Sequence, residues 1–307
     1  MNVRSKVKQY LEYCEFRKEL DAKTLKAYRI DLRQYFDFVH SDNPQKDEIE
    51  IYITDLHKKY KQKTVKRKIA SVKAFYAFLE GEEIITESPF RKIRVKFKET
   101  VILPRIIPRS EIEKLLNSMY ASFQLSRTDK PQGRCLLRDI AIVEVFFATG
   151  ARVYEISNIQ ADCIDIDSGV IRIMGKGDKE RYVQISEESI LRLLKKYYQL
   201  NKKVIKESGY FFVNCRGKRF TEQSIRMMLK KYTKLAGITR NITPHMFRHS
   251  FATYLIEEGV DVSCVQQILG HSSIKTTQIY IHVAAKKQAE ILKMRHPRNQ
   301  MKIIGAA

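Results

Sequence analysis

Apolar positions recur at helical spacing through the first hundred residues. Between Lys6 and Leu20, the residues Val7, Tyr10, Leu11, Cys14 and Phe16 fall along one side of a helix. After a break at Asp21–Thr24, the pattern returns with Leu25, Tyr28, Leu32, Tyr35, Phe36 and Val39. A third helix over about residues 47–60 follows Pro44. A fourth runs to Gly81, with Val65, Ile69, Val72, Phe75, Tyr76 and Leu79 on its apolar face. The other face of that helix carries Lys63, Lys66, Arg67 and Lys73. Such a face is either a solvated helix surface or a side that lies against phosphates.

From Ser88-Pro89 to Pro108 the periodicity breaks down. RKIRVKFKETVILPRIIP holds no helix signal but carries Arg91, Lys92, Arg94, Lys96 and Lys98, and it reads as an extended basic linker. Beyond it, Ser110 and Glu113 have the spacing of a capping box opening the helix SEIEKLLNSMY. A polar loop, SFQLSRTDKPQGR, precedes a long buried helix from Leu136 to Ala148. The period then changes. CIDIDSGVIRIMGKGDKERYVQIS breaks into short β-rich runs separated by Ser-Gly and Gly-Lys-Gly-Asp turns, the pattern of a small antiparallel sheet. Helices near 187–203, 222–236, 244–258, 261–269 and 273–280 follow, with a last one near 284–294. The expected fold is mainly α with a small antiparallel β-sheet in the C-terminal domain: a helical domain over 1–88, a linker over 89–108 and a second domain over 109–307. No internal repeat is visible.

Charge sharpens the picture. The 307 residues include 57 Lys and Arg against 35 Asp and Glu, a formal net charge of +22. Residues 1–108 hold 24 of the basic and 16 of the acidic residues, so both halves are basic and neither is merely a tail. Two basic halves suggest two surfaces facing a polyanion. The five cysteines (Cys14, Cys135, Cys163, Cys215 and Cys264) are odd in number and far apart, which argues against a disulfide framework or a structural zinc site. The opening MNVRSKVKQY lacks the apolar core of a signal peptide. The most apolar run, IAIVEVFFATG, is short and interrupted by Glu144, so no bilayer span is expected. These features fit a soluble protein of a reducing cytoplasm.

The most informative segment is TPHMFRHSFATYLIEEG. Thr243 is expected to cap a helix beginning at Pro244, placing His245 and Arg248 on one face at i, i+3. A helix N-terminus beside an imidazole and a guanidinium suits an anion such as phosphate, although a structural His and a surface Arg would look the same. Four features accompany it. TGARVYEI ends the buried helix with Thr-Gly and presents Arg152, with Glu155 three residues on. GKGDKER puts Lys176 at a Gly-flanked hairpin tip. LGHSS places His271 in a turn after Gly270, and Tyr280 follows nine residues later. No Walker loop is present.

In this order, the motifs resemble the tyrosine recombinase (phage-integrase, Xer-type) family. The likeness extends to the N-terminal half through TLKAYRIDLRQYFDF and KRKIASVKAFYAFL. Ala151 and Tyr154 stand where Leu and Ser are more usual, and both read as packing changes. The insert around Ser126–Arg134 is longer than in the simplest members. The resemblance implies a helical SAM-like core-binding domain and a mixed α/β catalytic domain. It also implies a double-stranded DNA substrate, with no cofactor and no metal. It assigns Tyr280 as the nucleophile that forms a 3′-phosphotyrosyl bond. Arg152 and Arg248 become clamps on the phosphate oxygens, Lys176 the acid for the 5′-oxygen, and His245 the partner of the tyrosine proton. His271 stabilises the transition state and Glu155 orients the arginines. Integration, excision, inversion and resolution share this chemistry, and so does a type IB topoisomerase-like relaxing enzyme. A DNA-binding protein that keeps the fold without catalysis is the non-enzymatic alternative. The apolar residues of HVAAKKQAEILKMRH imply a C-terminal helix that docks in trans, within a tetramer on two paired sites.

Overall fold

The computed structural model describes residues 2–95, 97, 105–175 and 180–270. The chain divides into two compact units, Met1–Thr100 and Val101–Ala307.

The first unit consists of α1 (Val7–Phe16), α2 (Ala22–Val39), α3 (Lys46–Lys59) and α4 (Gln62–Gly81), preceded by a 3₁₀ turn at Arg4–Lys6. The first helix stops at Phe16, short of the expected Leu20. Glu19 takes a left-handed conformation (φ 49°), and the Leu20 N–H turns back to the Cys14 carbonyl at 3.0 Å. Asp21 caps α2, accepting from the Thr24 N–H at 2.9 Å. The core is rich in aromatic rings: Tyr10, Tyr35, Phe36, Phe75 and Tyr76 are almost wholly buried, and the Tyr35 and Tyr76 hydroxyls pair at 3.0 Å. In the segment read as a linker, Pro89–Lys92 form a 3₁₀ turn whose Phe90 is buried in this core.

A buried ionic cluster joins α2 to α4. Asp31, with no exposed surface, accepts from Lys68 Nζ at 3.1 Å, from Ser71 Oγ at 2.9 Å and from the Arg67 guanidinium. Lys68 is itself only 3% exposed and also reaches Gln34. Removing the carboxylate strands this cation in the interior. Asp31→Ala is therefore expected to destabilise the helical unit by about 3–5 kcal/mol. Denaturant unfolding of the full chain measures this, and a loss below about 1 kcal/mol, the size of a surface pair, would mean the cluster is not under strain from burial.

The second unit is built around α6 (Pro131–Thr149), whose Leu137, Ile140, Ala141, Ile142, Val143, Val145 and Phe146 have no exposed surface. It begins five residues before the expected Leu136, because Pro131 occupies the first helical position, where a missing N–H costs nothing. Against it pack α5 (Arg109–Gln124), α8 (Glu188–Ser208) and α10 (Pro244–Glu257). The capping box expected at Ser110 and Glu113 does not form, since Pro108 is the N-cap and Ser110 already lies inside α5. The helix entry is fixed from elsewhere: the buried Ile107 donates its N–H to Ser250 Oγ at 2.7 Å, and its carbonyl accepts from Tyr254 Oη at 2.6 Å. Thr243 stands at the N-cap of α10 but makes no side-chain capping bond.

After α6 come α7 (Val153–Ser157) and a three-stranded antiparallel sheet in the order β1 (Ile164–Asp165), β2 (Val170–Met174), β3 (Glu180–Gln184). Ile164 pairs with Ile171 and Ile171 with Val183, so one face of the sheet carries apolar side chains into the core. The remaining helices are α9 (Glu222–Leu235) and α11 (Val262–Leu269), the latter held to α10 by Ala252, Ile256, Val265 and Leu269. The helices expected over 273–280 and 284–294 lie outside the described residues. Among the described residues, no helix is long and apolar enough to cross a membrane.

Candidate active site

Three helices of the second unit end at a left-handed glycine, and two of these ends frame the site: α6 at Gly150 (φ 59°) and α11 at Gly270 (φ 63°). Glycine is required at 150 by space as well as by backbone conformation. A Cβ there would stand 2.6 Å from Phe251 Cδ1 and 2.8 Å from Leu269 Cδ2. The tight turn delivers Arg152 to the N-cap of α7. Its N–H donates to Glu155 Oε2 at 2.6 Å and its Nη1 to Oε1 at 2.7 Å.

Arg248, in the second turn of α10, is 4% exposed and closes both helix ends. Nη1 donates to the Gly150 carbonyl at 2.9 Å and Nη2 to the Leu269 carbonyl at 2.7 Å. A cation at two helix C-termini meets the negative ends of both dipoles. Arg248 of the HxxR motif thus joins the Thr149-Gly150 and Leu269-Gly270 turns through one guanidinium. His245 lies exposed on the same helix, three residues earlier. Burial, and then the charges of His245 and Arg248, hold the neighbouring His249 below the ordinary imidazole value and favour its neutral form.

A third guanidinium, from Arg181 on β3, completes the cluster. It donates Nη1 to Glu155 Oε1 at 2.9 Å and Nη2 to Oε2 at 2.7 Å, while its Nε reaches the Ile268 carbonyl at 3.0 Å. Burial alone would raise the Glu155 carboxyl. The hydrogen bonds and charge of Arg181, with those of Arg152, outweigh burial and hold it below its usual range. Three arginines to one carboxylate leave the site cationic, which suits a phosphodiester. Among the described residues, no three His, Cys, Asp or Glu side chains gather as a metal site.

Arg152, Glu155 and Arg248 therefore gather around the Gly150 turn, with His245 exposed three residues before Arg248 on α10, whereas Lys176, His271 and Tyr280 lie outside the described residues. Arg181 was not among the expected site residues, although the sequence carried a signal for it. In ERYVQIS, Arg181 alternates with Val183 and Ile185, both buried, and a charge at an inward strand position requires a partner. Ala151 is buried, but Tyr154 is half exposed, so its replacement of Ser is not a core change.

Of the cations proposed to meet DNA, Lys63, Lys66, Arg67 and Lys73 all lie on the exposed side of α4. Arg67 is not a free surface charge, because Asp31 holds it. Lys66 Nζ stands 5.8 Å from the centre of the Phe97 ring. Arg91 pairs with Glu80 at 3.5 Å and Glu87 at 3.8 Å, Lys92 and Arg94 are exposed, and Lys96 and Lys98 lie outside the described residues.

Residues 107–287 match the phage integrase family, and residues 7–83 match the phage integrase N-terminal SAM-like domain. The chain belongs to the phage integrase family. A tyrosine recombinase of Agathobacter rectalis is 47% identical over 300 residues, spanning 97% of this chain and 98% of its own. A tyrosine recombinase XerC of Oceanobacillus iheyensis is 33% identical over 300 residues, spanning 94% and 95%. Among solved structures, the XerH site-specific recombinase bound to palindromic difH substrate, a post-cleavage complex, shares the fold at a TM-score of 0.73 and 21% identity. That match covers 97% of this chain and 85% of the other. This chain is a tyrosine recombinase, an enzyme of site-specific DNA strand cleavage and rejoining.

Proposed function

We propose that this recombinase cuts each strand of its site with Tyr280. The phenolic oxygen attacks the scissile phosphorus, a 3′-phosphotyrosyl bond forms, and the bond to the 5′-oxygen breaks. His245 takes the phenolic proton and Lys176 supplies one to the departing 5′-oxygen. Arg152 and Arg248 hold the non-bridging oxygens as charge builds on them, and His271 adds a donor to the same oxygens. Attack by the 5′-hydroxyl of another strand reverses the step and conserves the phosphodiester bond energy, so no nucleotide cofactor is consumed. The observation that supports this reading best is the Arg152–Glu155–Arg248 cluster, which gathers two arginines of separate motifs around the Gly150 turn.

In this reading, residues 1–88 form the core-binding domain, 89–108 a basic linker whose Phe90 is anchored in that domain's core, and 109–307 the catalytic domain. Both domains engage the duplex, the first through Lys63, Lys66 and Lys73 with the linker cations. Exchange between two duplexes requires four strands to be cut. With one nucleophile per chain, the assembly is a tetramer on two paired sites. The segment after the nucleophile, with Val283, Ala284, Ala289, Ile291, Leu292 and Met294, docks in trans on the next protomer.

The test uses two sites on one plasmid. The full chain is expected to exchange strands between them. Truncation after Val283 is expected to keep single-site binding and lose both the paired complex and exchange. Relaxation of a single-site plasmid without exchange between two would instead indicate a topoisomerase-like enzyme. Normal exchange by the truncated chain would reject docking in trans.

A further inference from the structure

We propose that Arg181 is a positioning residue for strand cleavage. It shares the Glu155 carboxylate with Arg152, so that Arg152 keeps donors and net charge for the phosphate. This inference rests on the reading of Arg152 as a phosphate clamp.

The geometry is that of a saturated carboxylate. Glu155 Oε1 accepts from Arg152 Nη1 and Arg181 Nη1, and Oε2 accepts from the Arg152 N–H and Arg181 Nη2. Four donors fill the acceptor capacity of the two oxygens. Only one guanidinium nitrogen of Arg152 is engaged by Glu155, whereas Arg181 occupies both oxygens in a bidentate fork. Without Arg181, each oxygen would lose one of its two donors, and Arg152 would be the guanidinium left beside the carboxylate. The two side chains could then close into their own bidentate pair, cancelling the charge of Arg152 and turning its fork away from the substrate.

Burial separates the two roles. The Arg152 side chain is 37% exposed and can meet a ligand, whereas that of Arg181, 10% exposed, commits Nη1 and Nη2 to Glu155 and Nε to the Ile268 carbonyl. Arg181 also reaches the last turn of α11. Its Nε bonds the Ile268 carbonyl, and a Cβ on Gly270 would stand 3.0 Å from its Cδ. One side chain on β3 thereby fixes the Arg152 partner and the helix end that leads, one residue later, to His271.

The test measures single-turnover cleavage on a nicked suicide substrate, with thermal melting and site affinity measured separately. Arg181→Lys keeps the charge but cannot fork across both oxygens and reach Ile268. It is expected to fold and bind the site like the parent while cleaving about ten- to a hundred-fold more slowly, the scale of a misplaced catalytic group. On a substrate whose scissile phosphate is a methylphosphonate, one oxygen charge is gone and the demand on Arg152 falls, so the Arg181→Lys deficit should shrink. Glu155→Gln combined with Arg181→Lys should be no slower than Glu155→Gln alone. Parental cleavage by Arg181→Lys, or a deficit equally large on the neutral substrate, would overturn the proposal. If Arg181→Lys does not fold, the residue is structural and the proposal likewise fails. Arg152→Ala in the same assay separates the premise, since cleavage at the parental rate there would reject the phosphate clamp whatever Arg181 does.

Discussion

Tyr280→Phe is expected to bind its DNA site as tightly as the parent chain and to form no covalent adduct, because the substitution removes one phenolic oxygen and nothing else. The chain has sixteen tyrosines, and the structure sorts several competitors. Burial pushes the Tyr76 and Tyr197 hydroxyls up to about 12, and it raises Tyr10, Tyr35, Tyr52 and Tyr232 further. These hydroxyls are poor nucleophiles and face the core. Tyr154 and Tyr182 are the exposed alternatives near the arginine cluster, at 50% and 66% exposure. A denaturing gel of protein trapped on nicked DNA decides the matter. An adduct that survives in Tyr280→Phe, mapped by peptide sequencing to Tyr154 or Tyr182, would move the nucleophile there.

Arg248→Ala should fail in two ways at once. Loss of a charge-stabilising donor at the reacting phosphate costs about 10²–10³ in rate. The same change orphans the Gly150 and Leu269 carbonyls, each at about 1–3 kcal/mol if left buried without a partner. Melting temperature and single-turnover cleavage should therefore fall together, in contrast to Tyr280→Phe, which affects only cleavage. Arg248→Lys retains a charge but lacks the planar fork that spans two carbonyls, and it should recover part of the stability and little of the rate. An Arg248→Ala chain that melts like the parent would show that the two helix ends are held by other contacts.

The helical positions were legible because their apolar spacing is local, and α2, α4, α9 and α10 lie close to where that spacing placed them. Gly150 and Gly270 were legible for the same reason, since a Gly ending an apolar run is a helix stop. Entries set from a distance were not. Ser110 looked like a cap, but the start of α5 is fixed by Ile107 bonding to Ser250, 143 residues away. Arg67 looked like one more surface cation, and only the fold brings Asp31 to it across 36 residues. The site follows the same division. The resemblance of the motifs to the recombinase family named Arg152 and Arg248, but the roles of Gly150 and Leu269 as acceptors for Arg248, and of Arg181 as a partner of Glu155, depend on contacts that no local pattern encodes.

The double attachment of Arg248 bears on how this enzyme could decay. In a descendant kept only for binding DNA, purifying selection on folding alone would still retain Arg248, because both helix ends depend on it. Arg152, more exposed and less committed to the interior, would be free to drift. Among divergent copies of this chain, an intact HxxR motif is therefore a weak marker of activity, and the residue after Gly150-Ala151 is the more discriminating one to inspect.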